Sequence, residues 1–472
     1  MCNVKTGLVV GVLTAILGLA SLEMTMNPSV AQTKPYLNSS ANREADRYLV
    51  QAFDMFKASN FEATIEIVQK AIPLYHSVQN LEGESLALGL LANSSRNMGK
   101  YDIAIAALQK SLLITRQMRN QVLESGLLNE MGTVYQSIGR YDKALDYYQQ
   151  ALIIGREIKD RGAEWESLNR FGLLYLLLGN ESKAIEYLKQ SLTIAQELNL
   201  RPEAASTLNN LGNAYRVSGD YSQALVLHQQ SLAINRELNN RLAEQISLSN
   251  LGNVAFGMKK YDEAIKYQEQ SLKIAQEIRV SYGQQQALLN MSAGYDALGN
   301  LPKAAELSQQ ALSIARQSND QSGQSMALAN IGDLFLRSGK LSEAEISLKE
   351  AITISESLRL GLNDANKVSF AETQKRLYEL YQDVLVKQNK TDTALEISER
   401  GRGRAFAELL ASRLINASPT EIQSIAKSPK LDEIRKIAKT QKATIVEYTV
   451  SEESIYIWVI KPTPVKVILC TT

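Results

Sequence analysis

The stretch LNNLGNAYRVSGDYSQALVLHQQSLAI, residues 208 to 234, decides the reading of the whole chain. Leu208, Leu211, Gly212 and Tyr215 recur at helical spacing, and Tyr221, Ala224, Leu225, Ser231 and Leu232 do so again after Gly219-Asp220. Apolar residues at intervals of three and four put one stripe of a helix against a neighbour. A glycine just past the last periodic residue ends a helix, because it enters the left-handed region without a Cβ clash. The stretch therefore predicts two helices joined by a tight turn.

Stepping outward by forty residues in either direction finds the same pattern. Gly132, Gly172, Gly212, Gly252 and Gly332 form one column, with Ala92 and Ser292 in the gaps. Ala104, Ala144, Ala184, Ala224, Ala264, Ala304 and Ala344 form a second. A third holds Gly99, Gly139, Gly179, Gly219, Gly299 and Gly339, broken only by Lys259. Eight such units fill residues 41 to 360. A fixed period of this size marks a solenoid, in which each unit buries its apolar face only by stacking on its neighbours. Pro202 and Pro302 lie where helices begin, the one place where a missing N–H is harmless.

Residues 208 to 234, and LNEMGTVYQSIGRYDKALDYYQQALII at 128 to 154, resemble tetratricopeptide repeats in the long form found in kinesin light chains. The resemblance implies an all-α, right-handed superhelical solenoid of helix hairpins. The usual proline near the end of the second helix is missing, and that helix runs on, which accounts for a period of 40.

The flanks read differently. Lys5, the uncharged apolar run Gly7 to Leu22 and Ser29-Val30-Ala31 make a secretory signal pattern over residues 1–31, followed by a linker at 32–40. A spanning helix needs roughly 20 apolar residues. The run here is 16, so cleavage before Gln32 and a periplasmic or extracellular location are expected, with an uncleaved anchor as the lesser alternative. Beyond residue 360 the period slips by ten, and a diverged helix pair is expected within 361–414, as Phe370 to Gln388 and Thr391 to Leu414. A basic linker or helix follows at 415–442. From 443 to 472 ATIVEYTV, IYIWVIK and VKVILC alternate and are β-branched, which predicts two or three adjacent strands. Such strands expose unpaired edges, so the tail is expected to be disordered, docked on the last helices or prone to self-association. Its deletion is expected to improve solubility.

This tail, with ALEISERGRGRAFAELLASRL at 394 to 414, resembles the opening portion of a CHAT domain, a caspase-like cysteine peptidase module that uses a His and Cys dyad. No histidine follows His228, so the family's nucleophile is not carried over to Cys470.

Composition agrees with a non-catalytic reading. The chain has 472 residues, 51 basic and 50 acidic side chains, two Cys and two His. A net charge of +1 argues against a surface built for nucleic acid. The one basic patch, residues 400 to 442, has Phe406 as its only aromatic residue, which leaves no series of rings for stacking bases. His76 shares a column with Arg116 and Arg156 and is expected on a solvated face; His228 shares one with Leu108, Tyr148 and Leu188 and is expected to pack. No cofactor, metal or catalytic residue is expected.

The function expected is a non-enzymatic scaffold that binds a protein or extended peptide. The alternative is a truncated repeat–CHAT peptidase. In repeats of this kind the first helix lines the concave groove, and the residue two before the Gly column faces it. That column reads Glu130, Arg170, Asn210, Asn250, Asn290 and Asn330, with Asn209, Asn213 and Asn253 beside it. This resembles the asparagine ladder of peptide-binding long repeats. An amide offers one acceptor and two donors to the backbone of an extended peptide; the competing reading is that the amides only bridge neighbouring helices.

Overall fold

The computed structural model describes residues 39–360, 364–401, 430–450, 455–461 and 467–471. The expected signal segment and most of the basic linker lie outside the described residues. The chain divides into two compact units, the first ending at Asn240 and the second starting at Arg241.

The first unit holds five helical hairpins: α1 (Ser40–Lys57) with α2 (Phe61–Ser77), α3 (Leu81–Asn97) with α4 (Tyr101–Met118), α5 (Gln121–Ser137) with α6 (Tyr141–Glu157), α7 (Arg161–Leu177) with α8 (Glu181–Glu197), and α9 (Arg201–Val217) with α10 (Tyr221–Glu237). The second unit continues with α11 (Arg241–Gly257) and α12 (Tyr261–Glu277), α13 (Ser281–Ala297) and α14 (Leu301–Gln317), α15 (Gln321–Arg337) and α16 (Leu341–Leu360). These are the eight units read from the sequence. Each turn is closed chemically: at the α9–α10 turn Gly219 sits at φ 87°, the Asp220 N–H donates to the Tyr215 carbonyl at 2.9 Å, and the Asp220 carboxylate caps α10 at the Gln223 N–H. Lys259, the break in that column, takes the same left-handed backbone at φ 60°.

The Gly and Ala columns explain how a hairpin closes. Ala104, Ala144, Ala184, Ala224, Ala304 and Ala344 are fully buried. Opposite the Gly column, the second helix of the same hairpin presents one large buried side chain. A Cβ on Gly132 would lie 2.4 Å from the Tyr148 ring, on Gly172 2.4 Å from Leu188, on Gly212 2.8 Å from His228, and on Gly332 2.5 Å from Leu348. Where the column carries Ser292 the knob shrinks to Ser308, and the two hydroxyls meet at 2.8 Å. The column is thus a matched series of knobs and holes. Gly332→Ala is expected to cost about 1–3 kcal/mol by overpacking. In a background already carrying Leu348→Ala that cost should vanish or reverse, because the methyl then fills space. A double-mutant cycle in urea tests the match, and strict additivity would contradict it.

Within each unit successive first helices approach one another, α1 with α3 and α5 with α7 in the first unit, α11 with α13 and α13 with α15 in the second, while second helices make no comparable approach. First helices therefore form the inner face of each unit.

After α16 the ten-residue slip is absorbed as helix. α16 runs on to Leu360 and α17 (Asp364–Lys387) starts six residues before the expected Phe370. Residues 391–401 are helical, and the remainder of the expected second helix lies outside the described residues. A short helix, Leu431–Gln441, has its first N–H held by the Glu396 carboxylate at 3.0 Å. Then β1 (Ile445–Val450), β2 (Ile455–Ile460) and β3 (Val467–Thr471) form an antiparallel sheet in the order β1-β2-β3. The strands are docked. Tyr456, Trp458 and Ile460 alternate inward and join one apolar cluster with Leu431, Ile434, Ala438 and residues of α16 and α17. Of the three expected states of the tail the docked one is observed, and it argues against a gain in solubility on deletion, because half of β2 is core.

Candidate peptide-binding face

A residue two positions before the Gly column lies about 200° around the helix from it. Since the glycine faces its own second helix, that residue must face away. In the second unit this places Asn250 on α11, Asn290 on α13 and Asn330 on α15 at one repeated position of the inner face. Asn250 and Asn290 are half-buried and Asn330 is exposed. None of the three amides has a side-chain hydrogen-bond partner among the described residues. Asn253, about 60° from the stripe, is half-buried and accepts from the Gln268 side chain at 3.3 Å. Ion pairs also cross from one first helix to the next. Arg337 on α15 binds Asp296 on α13 with both nitrogens, and Arg376 on α17 lies 3.8 Å from Asp333 on α15. These first helices thus carry free amides together with charge neutralised by a neighbouring first helix.

The first unit treats the same column differently. Asn210 is only 6% exposed and its amide donates to Asn169 at 3.1 Å. Asn209 is buried and its oxygen meets the His228 Nδ1 at 2.9 Å. Asn213 is half-buried. Arg170 spans α5 and α7, donating to Thr133 at 3.2 Å, Glu130 at 3.4 Å and Glu166 at 3.2 Å. Burial works against its charge, but Glu130 and Glu166 more than offset this and hold the guanidinium above its ordinary value. One turn beyond Asn213, Arg216 is the opposite case, and burial lowers it.

The structure therefore separates the seven asparagines of the column and its flanks. Asn250, Asn290 and Asn330 present unengaged amides, Asn213 and Asn253 border the face, and Asn209 and Asn210 are buried in hydrogen bonds. The ion pairs Asp296–Arg337 and Asp333–Arg376 were not visible in the sequence, because their columns change residue type from repeat to repeat. No group of three or more His, Cys, Asp or Glu side chains is placed to hold a metal among the described residues. His76 is solvent-facing beside Glu84, at 3.0 Å, and His228 is fully enclosed.

Comparison with known proteins agrees with this architecture. Tetratricopeptide repeat profiles match residues 86–118, 123–197, 203–278 and 283–357, more than half of the chain. Tetratricopeptide repeat protein 28 of mouse and of human is 30% identical over 117 residues, 24% of this chain. The chain spans only 5% of those relatives' length. Among solved structures, a signal transduction ATPase with numerous domains bearing a tetratricopeptide repeat sensor, from Pyrococcus horikoshii, is 18% identical with a TM-score of 0.52, covering 81% of this chain and 55% of that one. BtubC (BKLC) from P. vanneervenii is 20% identical with a TM-score of 0.41, covering 52% of this chain and 94% of that one. This chain belongs to the tetratricopeptide repeat family.

Proposed function

We propose that the protein is a non-enzymatic interaction scaffold and that the inner face of its second unit binds an extended peptide of a partner protein. The observation that carries this reading is the repetition of an unengaged amide, Asn250, Asn290 and Asn330, once per first helix at a constant period of 40. A side chain held at the same place on each helix meets a peptide backbone at regular intervals. Its one acceptor and two donors suit the C=O and N–H of any residue, so register is set without demanding a particular side chain.

Each such bond is worth about 1 kcal/mol net. Replacing all three asparagines with alanine should therefore weaken a peptide, selected from a displayed random library on the wild-type chain, by about a hundredfold. Thermal stability should scarcely change, since the amides support no intramolecular bond. Affinity within twofold of wild type would refute the placement. Asn210→Ala serves as the contrast, because it should cost about 1 kcal/mol of stability through the orphaned Asn169.

We also place the protein outside the cytoplasm, supported by Lys5, the apolar run Gly7 to Leu22 and the small residues Ser29-Val30-Ala31. Amino-terminal sequencing of protein from the native host should read from Gln32. Recovery of Met1 on a cytosolic fraction would rule this out.

A further inference from the structure

One column of the second helices packs against the first helix of its own hairpin, and in the last of the eight hairpins it meets a ring with nothing larger than a serine. After Ile67 and Ala107, the column reads Tyr147, Tyr187, Leu227, Tyr267, Leu307 and Ser347. The first helices face it with Tyr135, Tyr175, Tyr215, Ala255, Tyr295 and Phe335. Where both members are aromatic the rings stack: Tyr135 on Tyr147 with centroids 5.3 Å apart and planes within 6°, Tyr175 on Tyr187 at 5.5 Å and 4°. Each ring on a first helix meets a tyrosine or a leucine, except Phe335. It faces Ser347 and has no aromatic partner among the described residues.

A cavity of about 490 Å³ opens at that place, between α14, α15 and α16. Its apolar wall is Leu312, Leu328, Ile331 and Phe335, and Arg316 and Glu350 stand at its edge, paired at 2.7 Å. The size lies within the range of sites that take small organic groups. The basic residue is also placed by the repeat. Arg116 acts on the Tyr147 phenol and Arg156 on the Tyr187 phenol, and Arg316 stands in the same column. The cavity is not part of the asparagine face: Leu328, Ile331 and Phe335 form a stripe of α15 that lies roughly opposite the one carrying Asn330, by 100° per residue.

We propose that this cavity is a second docking site, one that receives a tyrosine side chain of a partner polypeptide in the place that hairpins α5–α6 and α7–α8 fill with their own ring. The phenyl face lies on Phe335, where Tyr147 and Tyr187 lie on theirs. The hydroxyl reaches the Arg316–Glu350 pair, accepting from the guanidinium or donating to the carboxylate. The occupant follows from this chain's own chemistry, since two sibling hairpins show which side chain fits between such walls and beside such an arginine.

The probe is the tripeptide Ac-Ala-Tyr-Ala-NH2, followed on the full chain through the methyl resonances of Leu312, Leu328 and Ile331. Saturable shifts with a Kd of ~1 mM or below are expected. Ac-Ala-Leu-Ala-NH2 should bind at least fivefold more weakly, because it cannot stack or reach the ion pair. Ser347→Tyr should supply the ring internally, abolish binding and raise the thermal midpoint by a few degrees. Phe335→Leu, which keeps the wall apolar, should weaken the tyrosine peptide at least fivefold and provides the test if Ser347→Tyr does not fold. The proposal is overturned if no saturable shift occurs up to the solubility limit, or if the leucine peptide binds equally. It is also overturned if p-cresol binds while the tyrosine peptide does not, since the cavity would then exclude a ring attached to backbone.

Discussion

Acidification from pH 6.5 toward 3 is expected to remove up to ~5 kcal/mol of stability from the first unit through a single side chain, His228. The imidazole is fully buried, and its pKa is pushed down to about 3, first by loss of solvent and then by the nearby Arg216 charge. Its Nδ1 contacts the Asn209 oxygen at 2.9 Å, so that nitrogen carries the proton, while Nε2 has no hydrogen-bond partner and lies against Gly212. Protonation would put a second N–H where nothing accepts it. Between pH 6.5 and about 3 the unfolded chain therefore binds a proton that the folded chain refuses. Stability is complete above pH 6.5 and declines as pH falls through that window. His228→Leu should flatten the decline, because Leu188 already packs in this way under Gly172. Urea unfolding at pH 7, 5 and 4 would show it. The same acid loss in the leucine variant would mean that the sensitivity resides elsewhere.

Trp458→Ala is expected to destabilise the second unit by about 3–5 kcal/mol, the cost of emptying a large aromatic site in a packed core. Trp458 is fully enclosed, its indole N–H donates to the Thr391 carbonyl at 3.3 Å, and Tyr456 lies 6.0 Å away on the same strand. The loss enters twice, as a cavity and as the loss of the indole's hydrogen bond to the start of helix 391–401. Deleting residues 443–472 should do at least as much and lower solubility, because Leu431, Ile434 and Ala438 would lose their cover. A truncated chain with an unchanged midpoint would instead make the sheet an independent appendage.

Periodicity made most of this fold legible. A strict repeat of 40 reports the packing environment of each position directly, so Gly212 and Ala224 could be read as close approaches between helices. Residues outside that periodicity were harder to place. The slip beyond residue 360 left no column to count from, and its conversion into longer helices depended on α16 and α17 simply continuing. The inward alternation of Tyr456, Trp458 and Ile460 was visible as β pattern, but nothing in it named the helices underneath. The asparagine column was found from its period. Its division into engaged and free members was not, since Asn210 is buried by a neighbour, Asn169, that only the first unit offers. The column of His228 marks a packing position, and its complete enclosure follows from the glycine opposite.

Because each hole and its knob lie in the same forty residues, every hairpin carries its own closing fit. The Arg–Glu pairs Arg161–Glu197, Arg201–Glu237 and Arg241–Glu277 likewise join the start of a first helix to the end of its own second helix. Whole hairpins are then interchangeable cassettes, whereas single helices are not. Duplicating or excising residues 201–240 as a block keeps every such match, but grafting α13 opposite α8 would set Ser292, which meets only Ser308 in its own hairpin, against Leu188. A gene lineage that changes length by whole cassettes can alter the number of asparagines offered to a partner without redesigning any interior.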